Sequence, residues 1–334
     1  MSELKLITPE NWEDYELIDT GGLEKLERFG KYILTRPEPQ AVWEKSLSES
    51  EWNKISHAVY KRTRGIDPAR SENIEKGEWK CKPGMPEQWV IQYCHQEMKL
   101  KFRLGLTSFG HIGVFPEQAV NWDYIYSFIK SAVGSGQSAV VDDSQKPEAR
   151  SQKPEASGEK RVARSENPFR VLNLFAYTGG ASLAAKAAGA DVVHVDSVKP
   201  VINWAKEDME LSGLKDIRWV VEDALKFVRR EVKRGNRYNG IILDPPAYGR
   251  GPEGEKWVLQ DSINEMIALS SQLLSESNSF FILSLYSMGF SSLISESLMT
   301  THFGDIMEKE AGELYFSDRA GRKLPLGTIF RFRK

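Results

Sequence analysis

One run of five residues, Asp244-Pro245-Pro246-Ala247-Tyr248, combines an acid, two ring-locked backbones and an aromatic face. Asp244 or a neighbouring backbone carbonyl can accept a hydrogen bond from an exocyclic amine. The two prolines fix φ and stiffen the loop. Tyr248 offers a ring on which an extruded planar base can stack. This set suits group transfer to a planar nitrogen, where alignment and exclusion of water are the main tasks. The blander reading is a rigid turn with Tyr248 as packing.

Three earlier segments have the same character. Phe175-Ala176-Tyr177-Thr178-Gly179-Gly180 is a tight glycine turn opening a helix, and glycine there lets the backbone approach a ligand closely. Asp196 is placed to accept hydrogen bonds from ribose hydroxyls, or is a solvated carboxylate. In Glu222-Asp223-Ala224, Asp223 can accept from an adenine amino group or cap the next helix. Each segment alone is weak, but four of them at the ends of four successive strands favour a ligand site. A nicotinamide dehydrogenase is the rival on this kind of fold. Its Gly-x-Gly-x-x-Gly spacing is missing, and the Asp-Pro-Pro run has no role in hydride transfer.

The elements that must position these residues follow from hydrophobic patterning. Strands are expected at 171–175, 191–196, 217–221, 240–243 and 280–285, alternating with helices at 180–188, 200–212, 224–234, 258–274 and around 293–301. Repeated strand–helix units imply a doubly wound α/β fold with a parallel sheet. Ligands then bind beyond the carboxyl ends of the strands, where strand order reverses. Strand-like pieces at 313–316 and 327–332 suit an antiparallel hairpin at one edge. Residues 1–115 read as a small β-rich domain, with partial alternation at 31–35, 89–93 and 99–104 and prolines at 37, 39, 83 and 86. Residues 116–133 look helical, with Trp122, Ile125, Phe128 and Ile129 on one face. They open a second domain over 116–334. Inside it, about 134–168 reads as a disordered low-complexity insertion, carrying SQKPEA at 144–149 and again at 151–156.

A length of 334 residues allows about two domains. The 45 basic and 47 acidic residues give a net charge of −2. Proteins that coat duplex nucleic acid carry a positive excess, so any RNA contact here must come from local patches. Basic clusters occur at Lys61-Arg62-Thr63-Arg64, at Arg229-Arg230 with Lys233-Arg234, and from Arg331 to Lys334; the second reads as a solvated helix face. Cys81 and Cys94 are the only cysteines, too few for a disulfide framework or a four-cysteine zinc site, and are expected to be buried or incidental. Histidines 57, 95, 111, 194 and 302 lack metal-ligand spacing, so no metal is expected. The longest apolar run, 280–283, is too short for a membrane span, and the N-terminus shows neither signal nor transit pattern. The expectation is a cytoplasmic protein without a membrane partner.

The segments LNLFAYTGGAS, HVDSVKPVINWAKEDMELSGL, VEDAL and IILDPPAYGRGP resemble the class I methyltransferases of the bacterial large-subunit ribosomal RNA family. LERFGKYILTRPEPQAVW, TSFGHIGVFPEQAVNW and LPLGTIFRF extend the likeness to a subgroup known only as S-adenosylmethionine-dependent methyltransferases. It covers most of the chain except the insertion. The resemblance implies a seven-stranded, Rossmann-like methyltransferase domain behind a small β-rich domain, with S-adenosyl-L-methionine as cofactor. It implies that Phe175, Ala176, Tyr177, Thr178 and Gly179 line the methionine end, that Asp196 binds the ribose, and that Asp223 lies near the adenine. Gln118, in FPEQ at 115–118, would border the cofactor. Asp244, Pro245, Pro246 and Tyr248 would be the catalytic group, and RNA, ribosomal RNA or a ribosomal particle, the substrate. Some relatives make 5-methylcytosine with a cysteine in a Ser-Cys-Ser-like stretch after the fifth strand. Here that stretch reads Ile282-Leu283-Ser284-Leu285-Tyr286-Ser287, which favours a nitrogen acceptor over cytosine C5. Two alternatives stay open: a protein or small-molecule methyltransferase, favoured by the near-neutral charge, and a cofactor-binding protein without catalysis, against which the intact Asp244-Pro245-Pro246 argues. The oligomeric state is not legible.

Overall fold

The structure is a computed structural model that describes residues 4–10, 12–67, 72–135, 168–286 and 289–334. The repeat-bearing insertion lies outside the described residues except at its two ends.

The N-terminal third is built of short strands. β1 (Lys5–Ile7) is followed by the meander β2 (Tyr15–Gly21), β3 (Glu24–Phe29) and β4 (Tyr32–Pro37). After helix α1 (Glu49–Ile55) come the hairpins β5 (Ala58–Asp67) to β6 (Glu72–Cys81) and β7 (Gln88–His95) to β8 (Met98–Gly105). β2 to β6 form one five-stranded sheet in chain order. β8 shows why such a segment folds as a strand. Met98, Leu100, Phe102 and Leu104 are buried while Lys99 and Lys101 are exposed, the period-two alternation of a sheet with one covered face.

A 3₁₀ turn at Pro116–Gln118 leads into α2 (Ala119–Ser135). Thereafter strand and helix alternate: β9 (Arg170–Leu174), α3 (Gly180–Ala187), β10 (Asp191–Asp196), α4 (Lys199–Leu211), β11 (Arg218–Val221), α5 (Ala224–Lys233) and β12 (Gly240–Leu243). A small hairpin, β13 (Tyr248–Arg250) and β14 (Lys256–Val258), precedes α6 (Leu259–Leu273), β15 (Phe280–Leu285), α7 (Ser292–Phe303), β16 (Glu308–Ser317) and β17 (Lys323–Arg333). The central sheet runs β11-β10-β9-β12-β15-β17-β16, with β1 added beyond β16 as an eighth strand. β9, β10, β11, β12 and β15 are mutually parallel, and β17 lies antiparallel between β15 and β16. The edge hairpin expected from 313–316 and 327–332 is present with longer arms. The pairing of β1 with β16 is not legible in the sequence, because a three-residue strand carries no pattern of its own.

Both faces of this sheet are covered, so its strands are apolar at nearly every position. Val171, Ile242 and Phe280 face a core shared with α2 and α3, whereas Leu172, Ile241 and Phe281 face α5, α6 and α7. The first of these cores does not stop at the sheet. It continues through Phe102, Tyr93 and Trp12 to Tyr15 and Phe29 of the N-terminal strands, linked by edge-on rings at Trp12–Tyr93 (4.9 Å) and Tyr93–Trp122 (5.4 Å). Strand order reverses between β9 and β12, so the crevice for a ligand opens past Leu174 and Leu243. No helix among the described residues is long and apolar enough to cross a membrane.

Candidate functional site

At the end of β9 the chain turns sharply. Phe175 (φ 55°) and Tyr177 (φ 49°) occupy left-handed conformations that cost side-chain-bearing residues about 1 kcal/mol or more each, and Gly179 (φ 87°) takes the same region without that cost. Neighbours hold the turn in place. Ala176 N–H donates to the Val195 carbonyl (3.1 Å), and Thr178 Oγ1 donates to the Gly113 carbonyl (2.6 Å). The Asp196 carboxylate accepts from Tyr177 N–H with Oδ2 and from Val198 N–H with Oδ1, both at 2.9 Å. Burial raises the Asp196 pKa, and those backbone donors oppose the shift.

Beneath the turn lies a buried polar relay that the sequence does not reveal. Asn173 Nδ2 donates to Ser182 Oγ (2.9 Å), and Ser182 Oγ pairs with His194 Nδ1 (3.0 Å). Burial pushes His194 down to about 3, so its imidazole is neutral at physiological pH. A Cβ at residue 179 would sit 3.3 Å from His194 Cε1, which leaves little room for anything but glycine. Histidine on an otherwise apolar strand carries no sequence signal for this role.

The structure brings Phe175, Ala176, Tyr177, Thr178, Gly179, Gln118 and Asp244 to the lining of one pocket, together with Asn121, Asn173 and Phe115. Gln118 Oε1 accepts from Asn121 Nδ2 (2.8 Å) and from Ser284 Oγ (3.4 Å), so the 3₁₀ turn, α2 and β15 are pinned at one point. The Tyr177 ring packs on Phe115 (centroids 5.1 Å apart). Asp196 stands at the margin through its bond to Tyr177. Asp223 does not line this pocket; it caps α5, its Oδ1 accepting from Lys226 N–H at 2.8 Å.

Asp244 follows β12, half-buried, and no side-chain hydrogen bond reaches its carboxyl among the described residues. Burial, reinforced by the nearby Glu117 carboxylate, pushes its pKa up to about 7. Glu117 is itself buried and pushed up to about 7, while Lys25 pulls in the opposite direction. The sequence alone does not mark Glu117, since an acid in FPEQ looks like an ordinary helix-start residue. Pro245 is buried and Pro246 exposed; Tyr248 is 47 % exposed and pairs with Val258 in the small hairpin.

The expectation of buried cysteines needs correction. Cys81 and Cys94 are both exposed, because each sits at an outward position of its hairpin, and neither lines the pocket. Of the basic clusters, Arg229 and Arg230 are paired with Glu265 and Glu222. Arg331 is buried and bonded to Glu310, with Nη1 donating to the Val120 carbonyl at 3.0 Å. No group of three or more potential metal ligands occurs among the described residues.

A left-handed glycine turn after the first strand of a 3-2-1-4-5-7-6 sheet, an acid ending the second and an Asp-Pro-Pro loop after the fourth define a nucleotide-cofactor α/β transferase. A family model for S-adenosylmethionine-dependent methyltransferases matches residues 155–296. The crystal structure of the SAM-dependent methyltransferase from Agrobacterium tumefaciens is 32% identical, with a TM-score of 0.79 over 98% of this chain and 93% of that one. The chain belongs to the S-adenosylmethionine-dependent methyltransferases, and S-adenosylmethionine is its cofactor. It is also similar to ribosomal RNA large subunit methyltransferase K/L of Shewanella frigidimarina, 37% identical over 109 residues, which are 31% of this chain and 15% of that protein. Ribosomal RNA large subunit methyltransferase I of Aeromonas salmonicida is 34% identical over 90 residues, 26% of this chain and 23% of that protein. These matches therefore span less than a quarter of either relative.

Proposed function

We propose that this methyltransferase acts on a base in RNA, with ribosomal RNA the leading substrate, and that the acceptor is an exocyclic nitrogen received by Asp244. The observation that carries this reading is the Asp244 carboxyl, which lines the pocket with no protein donor among the described residues. The carboxyl is half-buried and opens into the pocket, so both of its oxygens are free to accept from a ligand that donates. An amine does so.

Phe175 to Gly179 with Gln118 would hold the methionine end of the cofactor, Asp196 its ribose and Asp223 its adenine edge. The fit rests on Phe175 to Gly179 lining the pocket and on the lone pairs that the Asp196 carboxylate keeps beyond its bonds from the Tyr177, Ser197 and Val198 backbone. When bound, S-adenosylmethionine would supply the methyl group, its methyl–sulfonium bond breaking with the electron pair left on sulfur as a neutral thioether. Asp244 accepts an N–H of the acceptor amine, directs the nitrogen lone pair into the pocket and takes up the proton lost as the N–C bond forms. With a pKa near 7, it is basic enough to do so at neutral pH. The half-exposed Tyr248, four residues on, provides a stacking face for the base. A cytosine-C5 reaction needs a thiolate, and neither cysteine lines this pocket.

The likeness to the two ribosomal RNA methyltransferases supports RNA over a protein or metabolite. Incubation of the purified chain with methyl-labelled cofactor and deproteinised large-subunit ribosomal RNA, followed by nucleoside mass spectrometry, tests the reading. Label on an exocyclic base nitrogen is expected. Label found as 5-methylcytosine would overturn the nitrogen assignment, and label confined to protein would overturn the RNA substrate.

A further inference from the structure

We propose that Trp257 is a positioning residue for methyl transfer, one side chain that fixes the acceptor loop against the cofactor turn. The inference rests on the assignment of the Asp244 loop to the acceptor. Pro245-Pro246 poses a mechanical problem: neither residue has an N–H, so the chain cannot anchor this pair through backbone donation. Hydrogen bonds can hold them only by donation to their carbonyls. One group donates to this pair, and a second to the residue that follows it. Trp257 Nε1 donates to the Pro246 carbonyl at 2.7 Å, and Leu259 N–H donates to the Ala247 carbonyl at 3.0 Å. The carbonyl of Pro245 and the carboxyl of Asp244 receive no donor among the described residues. The clamp thus takes the Pro246 and Ala247 carbonyls and leaves the Asp244 carboxyl, which lines the pocket, free for a ligand.

The other end of the same indole faces the cofactor turn. Its ring packs on Phe175 with centroids 4.7 Å apart and planes inclined by 56°. Phe175 is the first residue after β9 and holds the strained φ of 55°. Trp257 is 2 % exposed, so its position is set by packing on all sides. It is carried on β14, and the hairpin of β13 and β14 that brings it back over Pro246 is closed by Tyr248↔Val258, Gly249↔Trp257 and Arg250↔Lys256 pairing. One rigid aromatic therefore joins the turn after β9 to the loop after β12 across the switch point of the sheet. In-line displacement is sensitive to such spacing, and a misplacement of about 1 Å can cost about a hundredfold in rate.

Trp257→Phe keeps a ring against Phe175 and removes the donor. In the cofactor-free protein, hydrogen exchange at the Leu259 amide, which donates to the Ala247 carbonyl, is expected to rise about tenfold or more, with β9 and β10 unchanged. With labelled cofactor and deproteinised ribosomal RNA, kcat is expected to fall about ten- to hundredfold, while KM and the affinity for S-adenosylhomocysteine stay within about threefold. Unchanged exchange at Leu259, or faster exchange with unchanged kcat, would overturn the proposal. If the wild-type chain does not label RNA, the RNA reading fails and the exchange result alone decides the clamp. Should the variant not fold, the wild-type protein itself decides the matter. Its Trp257 indole N–H is expected to exchange at least about a hundredfold slower than an exposed indole, and exchange at the exposed rate would refute the bond.

Discussion

The Asp196 carboxylate at the end of β10 accepts the Tyr177 backbone N–H at 2.9 Å, so the acid proposed for the ribose also braces the turn that faces it. Removing the carboxylate should therefore act twice. Asp196→Ala is expected to weaken S-adenosylhomocysteine binding by about 1.5–3 kcal/mol, the usual worth of hydrogen bonds to a charged group. Asp196→Asn keeps one acceptor oxygen and should fall between. Calorimetry on both variants checks this, and a folded Asp196→Ala protein with native affinity would refute the assignment.

Gly113 supports the same turn from the other side. Its carbonyl receives Thr178 Oγ1, its φ is 104°, and a Cβ there would lie 2.2 Å from Trp204 Cζ2. Trp204 cannot simply swing away, because its Nε1 donates to the Arg103 carbonyl at 2.6 Å. Gly113→Ala is expected to destabilise the protein by about 2–4 kcal/mol in urea unfolding, through backbone strain and overpacking together. A loss below about 1 kcal/mol would show that the FGHIG segment adapts.

Much of this arrangement is legible without the structure. The strands at 191–196, 240–243 and 280–285 have the expected bounds because strands buried on both faces are continuous apolar runs with polar ends. The residues just past those runs then identify the crevice. What the sequence hides depends on contacts distant along the chain. Trp257 sits in a three-residue strand among Gly, Pro and Glu, and its local pattern suggests only the approach to a helix. His194 and Asn173 are isolated polar residues in apolar strands, and their meaning appears only when Ser182 lies between them. Asp223 shows the converse, since either role fits the sequence; the cap on α5 is what the coordinates display.

Asp208 on α4 gives a stability test. It is buried, its Oδ1 accepts Arg103 N–H at 2.8 Å, and its Oδ2 has no partner among the described residues. Burial pushes its pKa up to about 8. The folded state then binds a proton that the unfolded chain releases at about pH 4, so this group's contribution to stability falls as pH rises from about 4 to about 8. Asp208→Asn retains an acceptor for Arg103 and removes that slope. Its advantage over the wild type should be about 1–3 kcal/mol larger at pH 8 than at pH 5 in urea titrations. An equal difference at both values would contradict the raised pKa.

Glu117 and Asp244 predict the pH dependence of turnover. If Asp244 must be ionised to receive an amine, kcat/KM should rise with pH through about 7. Glu117 raises that midpoint, and it is itself flanked by Lys25 and Glu27 of β3 and by Arg36 of β4. Glu117→Gln removes a negative neighbour, so the Asp244 carboxyl should ionise more readily and the acid limb should move to lower pH. A shift to higher pH, or none, would disconnect Glu117 from the acceptor site.

Nitrogen and carbon acceptors separate most cleanly at the cysteines. Carbon methylation of a pyrimidine proceeds through a covalent thioether to the enzyme, which requires a thiolate beside the base. Cys81 and Cys94 lie on β6 and β7, both exposed and outside the pocket lining, and partial desolvation by its neighbours raises the Cys81 thiol pKa, away from the thiolate. A double Cys81→Ser, Cys94→Ser variant is thus expected to fold and to keep its turnover on ribosomal RNA within about threefold, since exposed thiols contribute little packing. Asp244→Ala should instead lower kcat by about a hundredfold or more while leaving S-adenosylhomocysteine affinity within about threefold, the pattern of a group that acts chiefly in the transition state. The two variants answer different questions. Loss of all methyl transfer in a folded, cofactor-binding double cysteine variant would make a thiol the nucleophile and remove the nitrogen acceptor. Full activity in Asp244→Ala would leave the chemistry open and move the acceptor site away from this loop.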